Sequence, residues 1–128
     1  MNEPRWLLKE AVIAVHKMLV AEFGGIDSIR DEGLLESALS RPQQKFIYEK
    51  PSLFAITAAY GFGLAKNHPF SDGNKRIALT AMAMFLGSNG YKLIPEKMDA
   101  YQTTIKLAAG VLTEEELANW IEANVIAK

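Results

Sequence analysis

A short polar segment, residues 67–76, separates two apolar runs that have the spacing of α-helices. Apolar side chains repeat every three to four positions in residues 53–66 and again in residues 77–87, the pattern of helix faces that pack into a core. Pro69 disfavours helical backbone angles at His68, so the first helix should end just before that histidine. The sequence therefore predicts two buried helices joined by a tight polar turn.

The second of these helices begins with the features of an anion site. Asp72 or Gly73 stands at the helix start, where backbone N–H groups lack partners and the helix dipole is positive. Asn74, Lys75 and Arg76 follow in the first helical turn. Cations at this position oppose the dipole, at a cost of about 0.3 kcal/mol or more each. We interpret them as ligands for phosphate oxygens.

Each residue of the turn also has an ordinary structural explanation. Asp72 alone is more often a helix cap than a magnesium ligand, and Lys75 and Arg76 alone are usually solvated surface charges. His68 alone could cap the preceding helix. Phe70, the only large apolar residue of the turn, should insert into the core and hold its polar neighbours against a cleft. The combination of a base, a carboxylate, a carboxamide and two cations favours a functional site.

Residues 68–76 resemble the signature of the Fic/Doc family, His-x-Phe-x-Asp/Glu-Gly/Ala-Asn-Gly/Lys-Arg, and every constrained position is matched. Further stretches resemble the Doc, or death-on-curing, branch: Phe23-Gly24-Gly25, Ile29 to Glu36, Arg41-Pro42-Gln43-Gln44 and Asn89-Gly90-Tyr91. The resemblance thus covers nearly the whole chain. It implies an all-α, Fic-like bundle of about six helices with a short β-like flap.

The resemblance also implies roles for the residues of the turn. His68 would be the catalytic base that accepts a proton from the attacking hydroxyl. Asp72 would bind Mg²⁺, and Phe70 would anchor the loop. The phosphates of ATP would be bound by four consecutive residues, Gly73, Asn74, Lys75 and Arg76.

Two positions distinguish the reactions of this family. Adenylyl-transferring Fic proteins have Gly after the signature Asn and a second Arg three residues beyond the first, where this chain has Lys75 and Leu79. That second guanidinium would hold the terminal phosphates of ATP. Doc toxins share both differences and are kinases. The resemblance therefore implies a toxin that transfers the γ-phosphoryl group of ATP to a protein hydroxyl, on a threonine of elongation factor Tu.

The same resemblance implies partners. Lys45 to Glu49 is the one stretch with strand-like character, and Phe46, Ile47 and Tyr48 would form a flap that aligns the target peptide by backbone pairing. A Phd-like antitoxin would pack a helix into a groove and block phosphate access. Ser28 to Gly33 also fits the inhibitory motif of self-inhibited Fic proteins, but its position after a glycine pair favours a loop and a helix start.

Composition is consistent with this interpretation. A chain of 128 residues that is 49% hydrophobic can form one domain, residues 1–128, with its own core. A formal net charge of −1 argues against direct nucleic-acid binding, because no basic face is available. No apolar stretch approaches the roughly 20 residues that span a bilayer. With no cysteine and no secretory leader pattern, we expect a cytoplasmic protein without disulfides or thiolate sites.

The rest of the chain should also be mostly helical. We expect a helix from Trp6 to Phe23, within which His16 is a solvated or core-edge residue, and a short helix from Glu32 to Ser40 that ends before Arg-Pro. Gly61 and Gly63 indicate close helix packing. The remaining expected elements are helices at Asn74 to Gly87 and Glu96 to Ala109, an extended connection at Tyr91 to Ile94, and a last helix opened by the Thr113–Glu116 capping box.

Two alternative functions stay open. An adenylyl transferase would move label from the α-phosphate of ATP, and Leu79 argues against it. A non-enzymatic co-repressor that only binds an antitoxin would tolerate changes at His68 and Asp72, and the intact signature argues against it.

Overall fold

The computed structural model describes residues 2–128, which contain six α-helices and two short strands. The helices are α1 (Lys9–Phe23), α2 (Glu32–Glu49), α3 (Leu53–Asn67), α4 (Asn74–Ser88), α5 (Lys97–Ala108) and α6 (Glu114–Ala123). The strands are β1 (Tyr91–Leu93) and β2 (Val125–Ala127). The predicted all-α class with about six helices is confirmed.

Helix α3 lies at the centre of the bundle and packs against α2, α4 and α6. Its residues Ile56, Tyr60 and Leu64 are fully buried, as their spacing predicts. The Tyr60 hydroxyl oxygen accepts a hydrogen bond from the N–H of Leu7 at 3.1 Å, so the segment before α1 is tied to the core. Burial holds the pKa of the Tyr60 phenol above its ordinary value.

The two glycines of α3 allow neighbouring helices to approach closely, as the sequence predicts. A Cβ atom on Gly61 would collide with the Met82 side chain of α4. A Cβ atom on Gly63 would lie 3.2 Å from the Cα atom of Ala38, which belongs to α2. Both neighbours are buried, and the second contact involves backbone that can move only if α2 moves.

Replacing Gly63 with alanine should therefore destabilise the fold by about 1–3 kcal/mol, the usual cost of overpacking a core. Gly87→Ala is the matched control, since a Cβ atom there meets only the Lys128 Nζ at 3.6 Å. That change should stabilise α4 by up to about 1 kcal/mol through helix propensity. Urea unfolding of the two variants measures both effects, and equal midpoints would contradict the packing argument.

Helix α2 is longer than the sequence predicts. Instead of ending at Ser40, it continues through Pro42 to Glu49. The proline costs about 3 kcal/mol in a helix interior, but contacts beyond it offset this cost. The Phe46 ring packs edge-on against Trp6 with centroids 5.7 Å apart, and Lys45 forms an ion pair with Glu114 of α6 at 3.0 Å.

The prediction of a β-like flap in this segment is therefore wrong. Phe46, Ile47 and Tyr48 lie in the last turns of α2, where the backbone N–H and C=O groups are used by helical hydrogen bonds. No edge is available there for pairing with a target strand. The side chains of Ile47 and Tyr48 are exposed.

The two-stranded sheet lies elsewhere. The expected extended connection forms β1, which pairs antiparallel with β2 so that Lys92 stands opposite Ile126. The second strand is not predicted from the sequence, because three residues after a helix carry too little pattern. The Thr113–Glu116 capping box is confirmed at the start of α6. Within residues 2–128, no helix combines the length and apolar character needed to cross a membrane.

Candidate functional site

The segment between α3 and α4, residues 68–73, is called the signature loop here. Helix α3 ends at Asn67, and His68 takes a left-handed backbone conformation with φ of 48°. Pro69 follows and prevents the helix from continuing. Gly73, with φ of 77°, is the residue that precedes α4. The loop is thus the tight turn that the sequence predicts.

Phe70 holds the loop against the core. Its side chain is 1% exposed, and its ring stacks on the His16 ring of α1 with centroids 3.7 Å apart. The Asn74 carboxamide adds a second anchor, since its Oδ1 accepts from the N–H of Phe70 at 3.0 Å and its Nδ2 donates to the Phe70 carbonyl at 2.9 Å. These bonds give Asn74 a structural task, and its predicted contact with phosphate stays a prediction.

Asp72 does not cap α4. The helix start has no side-chain cap, and the Asp72 Oδ2 accepts instead from the N–H of Ile26 at 2.8 Å. The main-chain carbonyl of Asp72 is bound by the His16 Nε2 at 2.7 Å. Within residues 2–128, the Asp72 Oδ1 has no hydrogen-bond partner. The capping interpretation is therefore wrong, and one carboxylate oxygen is available to a ligand.

The backbone at the start of α4 offers further donors. The N–H groups of Gly73, Asn74, Lys75 and Arg76 form no hydrogen bond with any residue from 2 to 128, as expected for the first turn of a helix without a cap. They add to the positive end of the helix dipole. Such a helix start is favourable for an anion.

A cleft of about 770 Å³ brings the predicted residues together. One side consists of the signature loop and the first turn of α4, with His68, Asp72, Gly73, Asn74, Lys75 and Arg76. The opposite walls come from α1 and α5 and are mostly apolar, with Leu19, Phe23, Ala100 and Tyr101. The three predicted flap residues do not line this cleft.

The charged side chains in the cleft differ in their surroundings. His68 and Lys75 are exposed. The Arg76 guanidinium lies over the ring of Phe23, with its Cζ 4.1 Å from the ring centroid, an arrangement typical of a cation–π contact. This contact orients the guanidinium along the wall formed by α1.

The connection between α1 and α2 binds the signature loop, and sequence reasoning missed this function. The N–H of Arg30 donates to the carbonyl of Pro69 at 2.7 Å, and the N–H of Ser71 donates to the carbonyl of Ser28 at 3.0 Å. The Arg30 side chain donates through Nε to the carbonyl of His68 at 2.7 Å and through Nη2 to that of Asn67 at 2.9 Å. Arg30 thus holds the end of α3 in the geometry that places His68.

Replacing Arg30 with alanine should lower the free energy of unfolding by about 1 kcal/mol, because two carbonyls lose an exposed charged donor. We expect His68 to become more mobile, while the main-chain bonds to Pro69 remain. Lys17→Ala, which removes an exposed cation from α1, is the control and should change stability by less than about 0.5 kcal/mol. Urea midpoints test this, and equal midpoints would contradict it.

His16 is the other missed residue. It is 1% exposed, not solvated or at the core edge, and it contacts both Phe70 and Asp72. The only signal in the sequence is a polar residue within the helical pattern of α1, which does not indicate what it meets across the fold.

The structure is thus a helical bundle whose α3–α4 turn brings a histidine, a carboxylate with one unbonded oxygen and an uncapped helix start to the lining of one cleft. The sequence profile of the Fic/DOC family matches residues 6–86. Protein kinase doc of Escherichia phage P1 is 32% identical over 118 residues, which are 90% of this chain and 91% of that protein. Toxin Doc of Mycolicibacterium smegmatis is 44% identical over 73 residues, which are 56% of each chain. The chain belongs to the Fic/DOC family.

Proposed function

We propose that this protein is the toxin of a toxin–antitoxin system and that it transfers the γ-phosphoryl group of Mg-ATP to a Thr or Ser hydroxyl of a protein, elongation factor Tu. The observation that carries this proposal is the shared cleft of His68, the free Asp72 Oδ1 and the uncapped amides of α4. The names of the two relatives, a protein kinase and a toxin, support it.

The residues of the cleft fit the groups that this reaction needs. Mg²⁺ is usually held by one or two carboxylates together with substrate phosphates and water, and the Asp72 Oδ1 is free for that purpose. The N–H groups of Gly73 to Arg76 fit phosphate oxygens. When Mg-ATP is bound, the ATP would supply the phosphoryl group and the Mg²⁺ would neutralise part of the charge on the phosphate oxygens.

The protein side chains would act mainly by positioning and charge neutralisation. His68 would accept the proton of the attacking hydroxyl as the new O–P bond forms and the bond between the γ-phosphorus and the β-bridging oxygen breaks, which leaves ADP. Lys75, Arg76 and the helix-start amides would neutralise the charge that develops on the phosphoryl oxygens. Exposure of His68 to the cleft is consistent with this role.

One position of the cleft favours phosphoryl transfer over adenylyl transfer. Leu79 lines the cleft and offers no donor, whereas the signature of adenylyl-transferring relatives has an arginine at this position. An apolar side chain there cannot hold the terminal phosphates in the orientation that AMP transfer requires.

The antitoxin would bind the same cleft. Its apolar side chains, Leu19, Phe23, Leu79, Ala100 and Tyr101, line a surface contributed by three helices. An amphipathic helix buries its apolar face in a groove of this kind. A helix seated there would stand next to the helix start of α4 and block the approach of phosphate.

The test uses purified protein, a cell lysate and ATP labelled either in the γ-phosphate or in the α-phosphate. We expect a single labelled band, the size of elongation factor Tu, with γ-label only. Label from the α-phosphate would show adenylyl transfer. Absence of both labels, with growth still arrested by a His68→Ala variant, would show a non-enzymatic binding protein.

A further inference from the structure

His16 lies under the signature loop and touches it at two points. Its ring stacks on Phe70 with centroids 3.7 Å apart, and its Nε2 lies 2.7 Å from the main-chain oxygen of Asp72. The residue is 1% exposed. A buried polar atom needs a partner. For the His16 Nε2 this partner is the peptide group directly before α4, while the Nδ1 lies 3.8 Å from the Asp27 Oδ1.

The direction of this hydrogen bond follows from the chemistry of its acceptor. A carbonyl oxygen only accepts, so the His16 Nε2 carries the hydrogen. The Asp72–Gly73 peptide is trans, like all others in residues 2–128. In a planar trans peptide the C=O and the N–H point in opposite directions. Because the carbonyl of Asp72 points inward to His16, the N–H of Gly73 points away from it.

Gly73 lines the cleft, and its N–H has no partner in residues 2–128. A glycine has little intrinsic preference between positive and negative φ, so its own conformation does not fix this peptide. The Asp72 side chain is held separately, by the N–H of Ile26. Within residues 2–128, the bond from His16 is therefore the one hydrogen bond that the Asp72–Gly73 peptide group itself makes.

We propose that His16 is a positioning residue, which turns the N–H of Gly73 toward the cleft as a donor to a phosphate oxygen. The inference rests on the phosphate site of the proposed function but not on which group is transferred. His16 does not touch the ligand and acts through the Asp72–Gly73 peptide.

Two variants separate the hydrogen bond from the ring stacking. His16→Phe keeps a ring against Phe70 and loses the donor to Asp72. His16→Gln loses the ring and keeps an amide donor near the position of Nε2. We expect His16→Phe to lower kcat by about 10²-fold, the order observed on loss of one oriented donor, with a smaller change in KM for the protein substrate. His16→Gln should recover most of the rate.

The backbone is observed directly by NMR of ¹⁵N-labelled protein titrated with the magnesium complex of a non-hydrolysable ATP analogue. In the wild type and in His16→Gln, the Gly73 amide should shift strongly on binding. In His16→Phe that shift should be lost, while the amides of Lys75 and Arg76 still respond. A merely structural histidine would affect all of these amides alike.

If the Gly73 amide of His16→Phe still shifted on binding as it does in the wild type, the inference would be overturned. A lower rate in His16→Gln than in His16→Phe would also overturn it. If His16→Phe does not fold, the wild type decides, because a Gly73 amide that does not respond to the analogue also overturns it. Binding with a Gly73 shift but no transfer would refute the proposed kinase and leave this inference intact. Phosphoryl transfer by a wild type whose Gly73 amide does not shift on binding would support the proposed kinase and refute this inference.

Discussion

Replacing His68 with alanine should lower the rate of phosphoryl transfer by about 10²–10⁴-fold, the usual contribution of a general base. The reason is that, in the proposed mechanism, this imidazole accepts the proton of the attacking hydroxyl. Single-turnover transfer of γ-label to the protein substrate measures the effect. The affinity for Mg-ATP should change little, because the proposed phosphate ligands are other residues.

Backbone strain is the main complication of this variant. His68 has a φ of 48°, a conformation that costs alanine roughly 1 kcal/mol and that asparagine tolerates better. His68→Asn therefore serves as the matched variant, since it keeps the backbone and removes the base. Both variants should be equally inactive although they differ in stability. A fully active His68→Asn protein would contradict the role of His68.

Asp72→Asn should have the second largest effect, a loss of about 10²-fold or more in rate, because in the proposed mechanism it removes a ligand of a charge-neutralising metal. The asparagine can still accept from the N–H of Ile26, so the loop should keep its conformation. What is lost is the negative charge. The rate should therefore need a higher magnesium concentration, which a titration with MgCl₂ measures.

Glu122→Gln is the control for this variant, since it removes one exposed carboxylate of α6 and changes the net charge equally. Its magnesium dependence should match that of the wild type. If Asp72→Asn showed the same magnesium dependence as Glu122→Gln, Asp72 would not be the metal ligand.

Local patterns predicted much of this fold. All six helices were predicted, although α2 was made too short. Pro69 fixed the end of α3 within a residue of its observed end at Asn67, and the Thr113–Glu116 pair marked the start of α6. Each of these features depends on neighbours a few residues apart. They can be predicted because the causes lie within one helical turn.

Contacts between distant segments account for what was wrong or missed. Helix α2 continues beyond Pro42 because Phe46 packs against Trp6 and Lys45 pairs with Glu114. Strand β2 exists because Tyr91–Leu93 lies beside it. These contacting residues are far from α2 and β2 in the sequence. Local propensity alone therefore indicated a helix end at Ser40 and a flap after it.

In the candidate site, too, residues close together in the sequence could be predicted and residues from distant segments could not. The signature residues could be placed from the sequence because they lie within one loop and one helical turn. The structure puts His68, Asp72 and the four residues Gly73 to Arg76 around one cleft, and it buries Phe70 against the core. The residues that hold the loop, His16 and Arg30, come from α1 and from the connection before α2. Their function depends on bonds to main-chain carbonyls, which leave no residue pattern.

The central claim is that the cleft at the start of α4 places a bound nucleotide for phosphoryl transfer with His68 as the base. The most direct measurement is mass spectrometry of purified elongation factor Tu after incubation with this protein and Mg-ATP, with the His68→Asn variant in parallel. We predict a phosphate-sized increment on one threonine or serine with the wild type and none with the variant. An AMP-sized increment, or the same phosphate increment with both proteins, would contradict the account.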